Sequence, residues 1–258
     1  MQPHKARQRL AGCQCDVSKT DSSLHNPTPP HVHFSSLATP MSSLKYPLFT
    51  VLILLVSCTT PTEVVDESIP TQDVVLIGAQ TWSTRNLDVS AFRNGDPIPH
   101  AASDAEWQEA AKNKTPAWCY YNNDASNATR FGKLYNWFAV MDPRGLAPEG
   151  FHVPSDQEWN ALIQTLGGDE NAGGALKSTT GWNGDVTETN SSGFYANPGG
   201  SRRYDGSFNY FGSFGNWWST TEDDSTFAWA RNLSMDDNDV NRYSLHKTKG
   251  FSVRCVKD

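Results

Sequence analysis

A cationic excess is missing from this 258-residue chain: 21 Lys and Arg stand against 28 Asp and Glu, for a formal net charge of −7. No basic stripe is available to follow a phosphate backbone or to hold anionic headgroups, which argues against nucleic acid and against direct lipid-headgroup binding. Long apolar runs are scarce too. Leu48 to Val56 supplies about nine nearly uninterrupted apolar residues, well short of the ~20 that a spanning helix needs. Common catalytic signatures are absent: no Gly-x-Ser-x-Gly, no His-Glu-x-x-His and no phosphate-cradling glycine loop. Cysteine is sparse, at positions 13, 15, 58, 119 and 255. Cys13 and Cys15 with His25, His31 and His33 match no zinc spacing, so no metal site is expected there.

What is present near the start is an address. Met41 opens a short segment with one positive charge, the apolar run follows, and Leu55-Val56-Ser57-Cys58 closes it. That order is a signal peptide, and its end resembles the lipobox of bacterial lipoproteins, which implies that Cys58 is lipidated. A signal sequence at Met41 implies that translation starts there. Residues 1–40, which show neither helical nor strand periodicity, are then expected upstream of the true start and disordered. Residues 41–58 are read as the signal peptide. Residues 59–72, with prolines, acids and threonines, are read as a tether. The resulting expectation is a bacterial envelope protein, held in the outer membrane by its lipid and exposed at the surface.

All nine tryptophans fall between Trp82 and Trp229, so residues 73–258 are expected to form one packed domain. Val74 to Ile77 reads as a strand ending at Gly78, continued by Gln80 to Trp82 past a turn. Ser103-Asp-Ala-Glu106 and Ser155-Asp-Gln-Glu158 are capping boxes that each start a helix. In the second, Trp159, Leu162, Ile163 and Leu166 fall on one helical face, and Gly167-Gly168 ends it. From Gly181 onward glycine, serine, asparagine and aromatic residues alternate without helical period. Strands are expected at Asn216–Thr220, Phe227–Leu233 and Phe251–Val256, the last half-buried with Phe251, Val253 and Cys255 inward. Adjacent Trp217 and Trp218 are expected to split, one toward the core and one toward a ligand. Long loops on a small sheet are a common way to build a binding surface.

Four ordered blocks carry a family resemblance: Ile77-Gly-Ala-Gln-Thr-Trp82 with Asn86-Leu87, Leu134-Tyr-Asn-Trp137, Pro148-Glu-Gly-Phe-His-Val-Pro-Ser-Asp-Gln-Glu-Trp159, and Gly250-Phe-Ser-Val-Arg-Cys-Val256. Together they resemble the Fibrobacter succinogenes major paralogous domain. The resemblance implies an α+β, C-type-lectin-like fold related to the formylglycine-generating domain: two helices on small twisted antiparallel sheets, with long ordered loops and adjacent termini. Relatives often carry cysteine where this chain has Ala147, which weakens any disulfide carried over by analogy. From the residues alone, Cys119 and Cys255 can either pair or remain reduced and buried. Residues 200–258 also resemble the variable region of target proteins of diversity-generating retroelements, which display changeable residues as a ligand-binding face.

The formylglycine-generating relatives need two late cysteines and only Cys255 is present, so catalysis and cofactors are not expected. The calcium-binding tripeptides of sugar-binding lectins are missing, and Asp236 to Asp239 reads as a solvated acidic loop. His152 reads as a satisfied structural histidine. A surface of Tyr, Phe, Trp, Ser and Asn has the composition of antibody loops, where rigid aromatics supply contact area at low entropic cost. The residues expected to touch ligand are Tyr204, Asn209, Tyr210, Phe214, Asn216, Phe227, Trp229, Asn232, Asp237, Tyr243 and His246. The expected partner is a protein or glycan at the cell surface, bound by a monomer. The alternatives are an undiversified glycan-binding or structural envelope lipoprotein, and an oxidase of the formylglycine-generating type.

Overall fold

The computed structural model describes Ile69 and residues 73–184 and 188–258. The expectations for residues 1–40, the signal peptide with Cys58, and most of the 59–72 tether lie outside the described residues. Ile69 itself packs against the core.

In chain order the domain runs β1 (Val74–Ile77), β2 (Gln80–Ser83), α1 (Asp104–Asn113), β3 (Trp118–Cys119), α2 (Ala128–Phe131), β4 (Leu134–Tyr135), α3 (Trp137–Val140), β5 (Phe151–His152), α4 (Asp156–Thr165) and α5 (Ala172–Leu176). The second half is β6 (Ser201–Arg202), β7 (Phe208–Asn209), β8 (Phe214–Glu222), β9 (Phe227–Ser234), β10 (Val240–His246) and β11 (Val256–Lys257). The fold is α+β.

Both long helices begin as their sequences dictate. Ser103 and Ser155 accept from the backbone N–H of Glu106 and Glu158, and each glutamate reaches back to the capping backbone. α1 buries only Trp107, whereas α4 buries Trp159, Leu162 and Ile163 on one face. β1 and β2 form a hairpin across Gly78, whose φ of 61° suits a residue without Cβ.

β11 inserts between β2 and β5 in a sheet of order β1-β2-β11-β5, which brings the two ends of the domain together. A second sheet, β10-β9-β8, is fully antiparallel, and β3–β4 and β6–β7 are separate two-stranded ladders. β10 was not foreseen, because Val-Asn-Arg-Tyr-Ser-Leu-His lacks a clean apolar alternation. The terminal segment departs from its expected strand. Only Val256 and Lys257 enter a ladder, while Gly250, Phe251 and Ser252 make single bridges to Arg202, Tyr135 and Trp217. Ser252 and Arg254 are as buried as Phe251, Val253 and Cys255, because surrounding segments cover both phases.

Trp217 and Trp218 also differ from expectation: both are buried. Successive residues of β8 point to opposite faces, and each face is covered. Trp217 joins Trp82, Trp159, Leu162 and Leu233, whereas Trp218 joins Tyr135, Ala230 and Phe251. A third cluster holds Trp107, Cys119 and Leu134.

Candidate ligand-binding face

The antiparallel register of β9 and β10 sets Phe227 opposite His246, Trp229 opposite Ser244 and Arg231 opposite Arg242, all on one face. The face divides along its length. Arg231 is buried and donates to Asp156 Oδ1 at 2.6 Å and to Asn160 Oδ1 at 2.6 Å. Arg242 donates through Nε to the same carboxylate at 3.0 Å, while its guanidinium lies 3.2 Å from the Trp229 ring centroid. Two cations thus share one acid at the first turn of α4. At the other end Phe227 and His246 meet edge-on, with centroids 5.5 Å apart.

Trp229 stands apart from the other tryptophans. The remaining eight are buried, and each indole N–H donates to an oxygen, as from Trp107 to Thr248 O and from Trp217 to Asn86 Oδ1. Trp229 is half-buried, and among the described residues its indole N–H alone finds no protein acceptor. Burial, with Lys249 as a nearby like charge, lowers the pKa of His246. Its Nδ1 accepts from the Thr248 backbone N–H and hydroxyl, so the neutral ring carries its proton on Nε2.

The expected contact residues do not form one patch. Phe227, Trp229 and His246 do come together. Tyr210 and Phe214 meet elsewhere, with centroids 4.9 Å apart. Phe214 pairs with Ser234, at the far end of β9 from Phe227, some seven residues or roughly 23 Å along the strand. Tyr204 and Tyr210 are exposed, Tyr210 in a left-handed turn at φ 65°. Asn209 is half-buried, with its Oδ1 accepting from Ser201 Oγ. Tyr243 is exposed on the opposite face of β10, beside Ala230. Asp237 lies in the exposed turn after β9, where its carboxylate caps the Asp239 N–H. Among the described residues no group of three His, Cys, Asp or Glu could hold a metal ion.

Asn216 and Asn232 are a correction. Both are buried: Asn232 donates to Asn216 Oδ1 at 2.9 Å, and Asn216 donates to Gly200 O at 3.1 Å. Their amides satisfy backbone and each other, and neither faces solvent. Of the two states left open for Cys119 and Cys255, the structure has the reduced, buried one. Both thiols are free, and they sit in different clusters, Cys119 beside Trp107 and Cys255 beside Val253. Burial pushes Cys119 up to about 11 and Cys255 up to about 12, so neither is a thiolate near neutrality. Iodoacetamide at pH 8 should leave both unmodified in the native protein and alkylate both in denaturant, as read by peptide mass spectrometry. Native labelling of Cys255 would show an accessible thiol.

His152 donates or accepts between Glu158 and Asp258, each at 2.7 Å. Burial opposes its charge, but the two carboxylates outweigh burial and raise its pKa above 6.5. The stabilisation is therefore present below the unfolded value and is lost as pH rises through the higher folded value. The ring is substantially exposed, so the change should be below about 1 kcal/mol. The urea midpoint should fall slightly from pH 6 to 8.5, and His152→Gln should remove that difference.

Sequence reasoning missed Asp156, Arg231 and Arg242 as a unit, since nothing local marks two strand arginines as sharing one helix-start acid. The family match is explicit: residues 75–257 match the model of the Fibrobacter succinogenes major domain. The chain belongs to that family. No curated protein and no solved structure matches it. In this member of the Fibrobacter succinogenes major domain family, the large side chains of the four sequence blocks mostly serve the interior. Asn86, Trp137, Trp159 and Arg254 are buried or hydrogen-bonded scaffold, and the exposed aromatics fall between the blocks.

Proposed function

We propose that this chain is a lipid-anchored envelope protein that binds a surface protein or glycan, without catalysis, on a C-type-lectin-like scaffold. The observation that carries this reading is Trp229, the one half-buried tryptophan, with a spare N–H and flanked by Arg242, Phe227 and His246. An aromatic plate beside a cation and a neutral imidazole offers contact area and directional hydrogen bonds together. The adjacent domain ends and the two capped helices agree with the scaffold reading.

The full chain screened against a glycan array and a peptide-display library should yield binders that Trp229→Ala and Phe227→Ala weaken at least about tenfold, or 1.4 kcal/mol. The absence of binders, or binders indifferent to both changes, would overturn the reading. Anchoring is tested separately, since Cys58→Ala should move the protein from the membrane fraction to the soluble fraction. Unchanged partitioning defeats the anchor.

Retroelement diversification is a further proposal for residues 200–258. It predicts adenine-linked codon changes at exposed Tyr204, Tyr210 and Tyr243 within a clonal population, with Asn216 and Asn232 constant. The burial of Asn216 and Asn232 takes two expected contact residues out of any changeable face, which supports the second reading, an undiversified binding lipoprotein, for which sequencing should find no changes at the three tyrosines either.

A further inference from the structure

A cleft of about 450 Å³ opens beside α2, lined by Asp73 and Arg85, Thr84 and Thr129, and Arg130 and Tyr195. Its size suits a mono- or disaccharide. Three independent features converge on it. Tyr195 holds φ 55°, a left-handed conformation that residues with a Cβ seldom adopt. Its N–H donates to Asn190 Oδ1 at 2.8 Å, and its carbonyl accepts from Arg254 Nη2 at 2.7 Å and Asn197 Nδ2 at 3.2 Å. The backbone is thus over-determined in a costly state that leaves the ring 50% exposed at the cleft. Arg130 donates from Nη2 to Thr180 Oγ1 at 2.6 Å, and a Cβ on Gly181 would stand 2.6 Å from the same nitrogen, so the glycine makes room for the guanidinium. Among the described residues Arg130 has no acidic partner. Arg85 is paired with Asp73 at 3.2 Å. Two guanidiniums therefore face one carboxylate, a local positive surplus on a chain of net charge −7.

We propose that this cleft binds a sugar residue bearing a carboxylate, a uronic acid unit of a polysaccharide. The carboxylate pairs with Arg130, which has no acidic partner among the described residues, the C–H face of the pyranose covers the Tyr195 ring, and the hydroxyls meet Thr84 and Thr129. A neutral sugar leaves Arg130 uncompensated. Inorganic phosphate leaves the aromatic plate unused. The site shares no residue with the Trp229 face and stands whether or not that face binds anything.

The test titrates the purified full chain with D-glucuronate, D-glucose and inorganic phosphate, followed by NMR. Glucuronate should saturate in the millimolar range, glucose and phosphate should bind at least about tenfold more weakly, and Arg130→Gln should cost glucuronate about tenfold. Tyr195→Gly, which keeps the left-handed backbone and removes the ring, should weaken glucuronate without lowering the melting temperature. Trp229→Ala should leave it unchanged. No saturation by about 50 mM glucuronate, equal binding of glucose or phosphate, or indifference to both Arg130→Gln and Tyr195→Gly would overturn the proposal.

Discussion

Asp156→Ala should destabilise the protein by about 3–5 kcal/mol, lowering its melting temperature by roughly 6–20 °C for a domain of this size. The reason is one-sided. Asp156 is the acid for two guanidiniums, and Arg231 is buried against it at 2.6 Å. Removing the carboxylate leaves a buried cation with one side-chain acceptor, Asn160, and with its Nε already unpartnered. The change also removes an acid from the first turn of α4, where the helix dipole favours negative charge. Arg242 would lose the anchor that holds it over Trp229. Arg231→Met in the Asp156→Ala background should recover more than half of the loss, because the uncompensated charge then disappears. Additive losses in thermal unfolding would show that the two residues act independently.

Arg254→Met should cost a similar amount, about 3–5 kcal/mol, by a different route. Arg254 is fully buried and, among the described residues, has no carboxylate partner. Burial works against its charge, and four oxygen acceptors offset that penalty: Asn86 Oδ1 at 2.8 Å, and the carbonyls of Ser83, Phe194 and Tyr195 at 2.7 Å each. Methionine fills much of the volume and satisfies none of them. Asn86 extends the damage. The same Oδ1 accepts from Trp217 at 2.8 Å, and its amide donates to Phe131 O at 2.8 Å. Loss of Arg254 should therefore loosen β2, β8 and the loop carrying Tyr195 together, with faster amide exchange at Trp217 and Tyr195. A melting-temperature change below about 2 °C, less than 1 kcal/mol, would contradict this account.

The two predictions explain how far the sequence could be read. Local rules sufficed where the cause was local. The capping serines, the i, i+3, i+4 face of Trp159, Leu162 and Ile163, and the Gly78 turn all act over a few residues, and each appears where it was expected. The same reasoning found the aromatic-rich second half and the strands β8 and β9, with ends shifted by at most two residues. It missed β10, and it misplaced Asn216, Asn232 and one of the adjacent Trp217 and Trp218. Alternation along a strand says which residues share a face but not whether that face is covered.

By itself, then, the chain's sequence determined the family, the α+β class, the two capped helices and the absence of the common catalytic signatures. Tertiary structure alone decided which polar residues belong to the interior. Arg231, Arg254 and Asn216 read as surface in any local window, since the acceptors that make their burial tolerable lie 16 to 171 positions away. Tertiary structure alone also left Trp229 half-open while eight other tryptophans closed into the core. On the same face of β9, Arg231 lies against Asp156 and Asn160 of α4, 75 and 71 positions away, neighbours that no residue near Trp229 encodes.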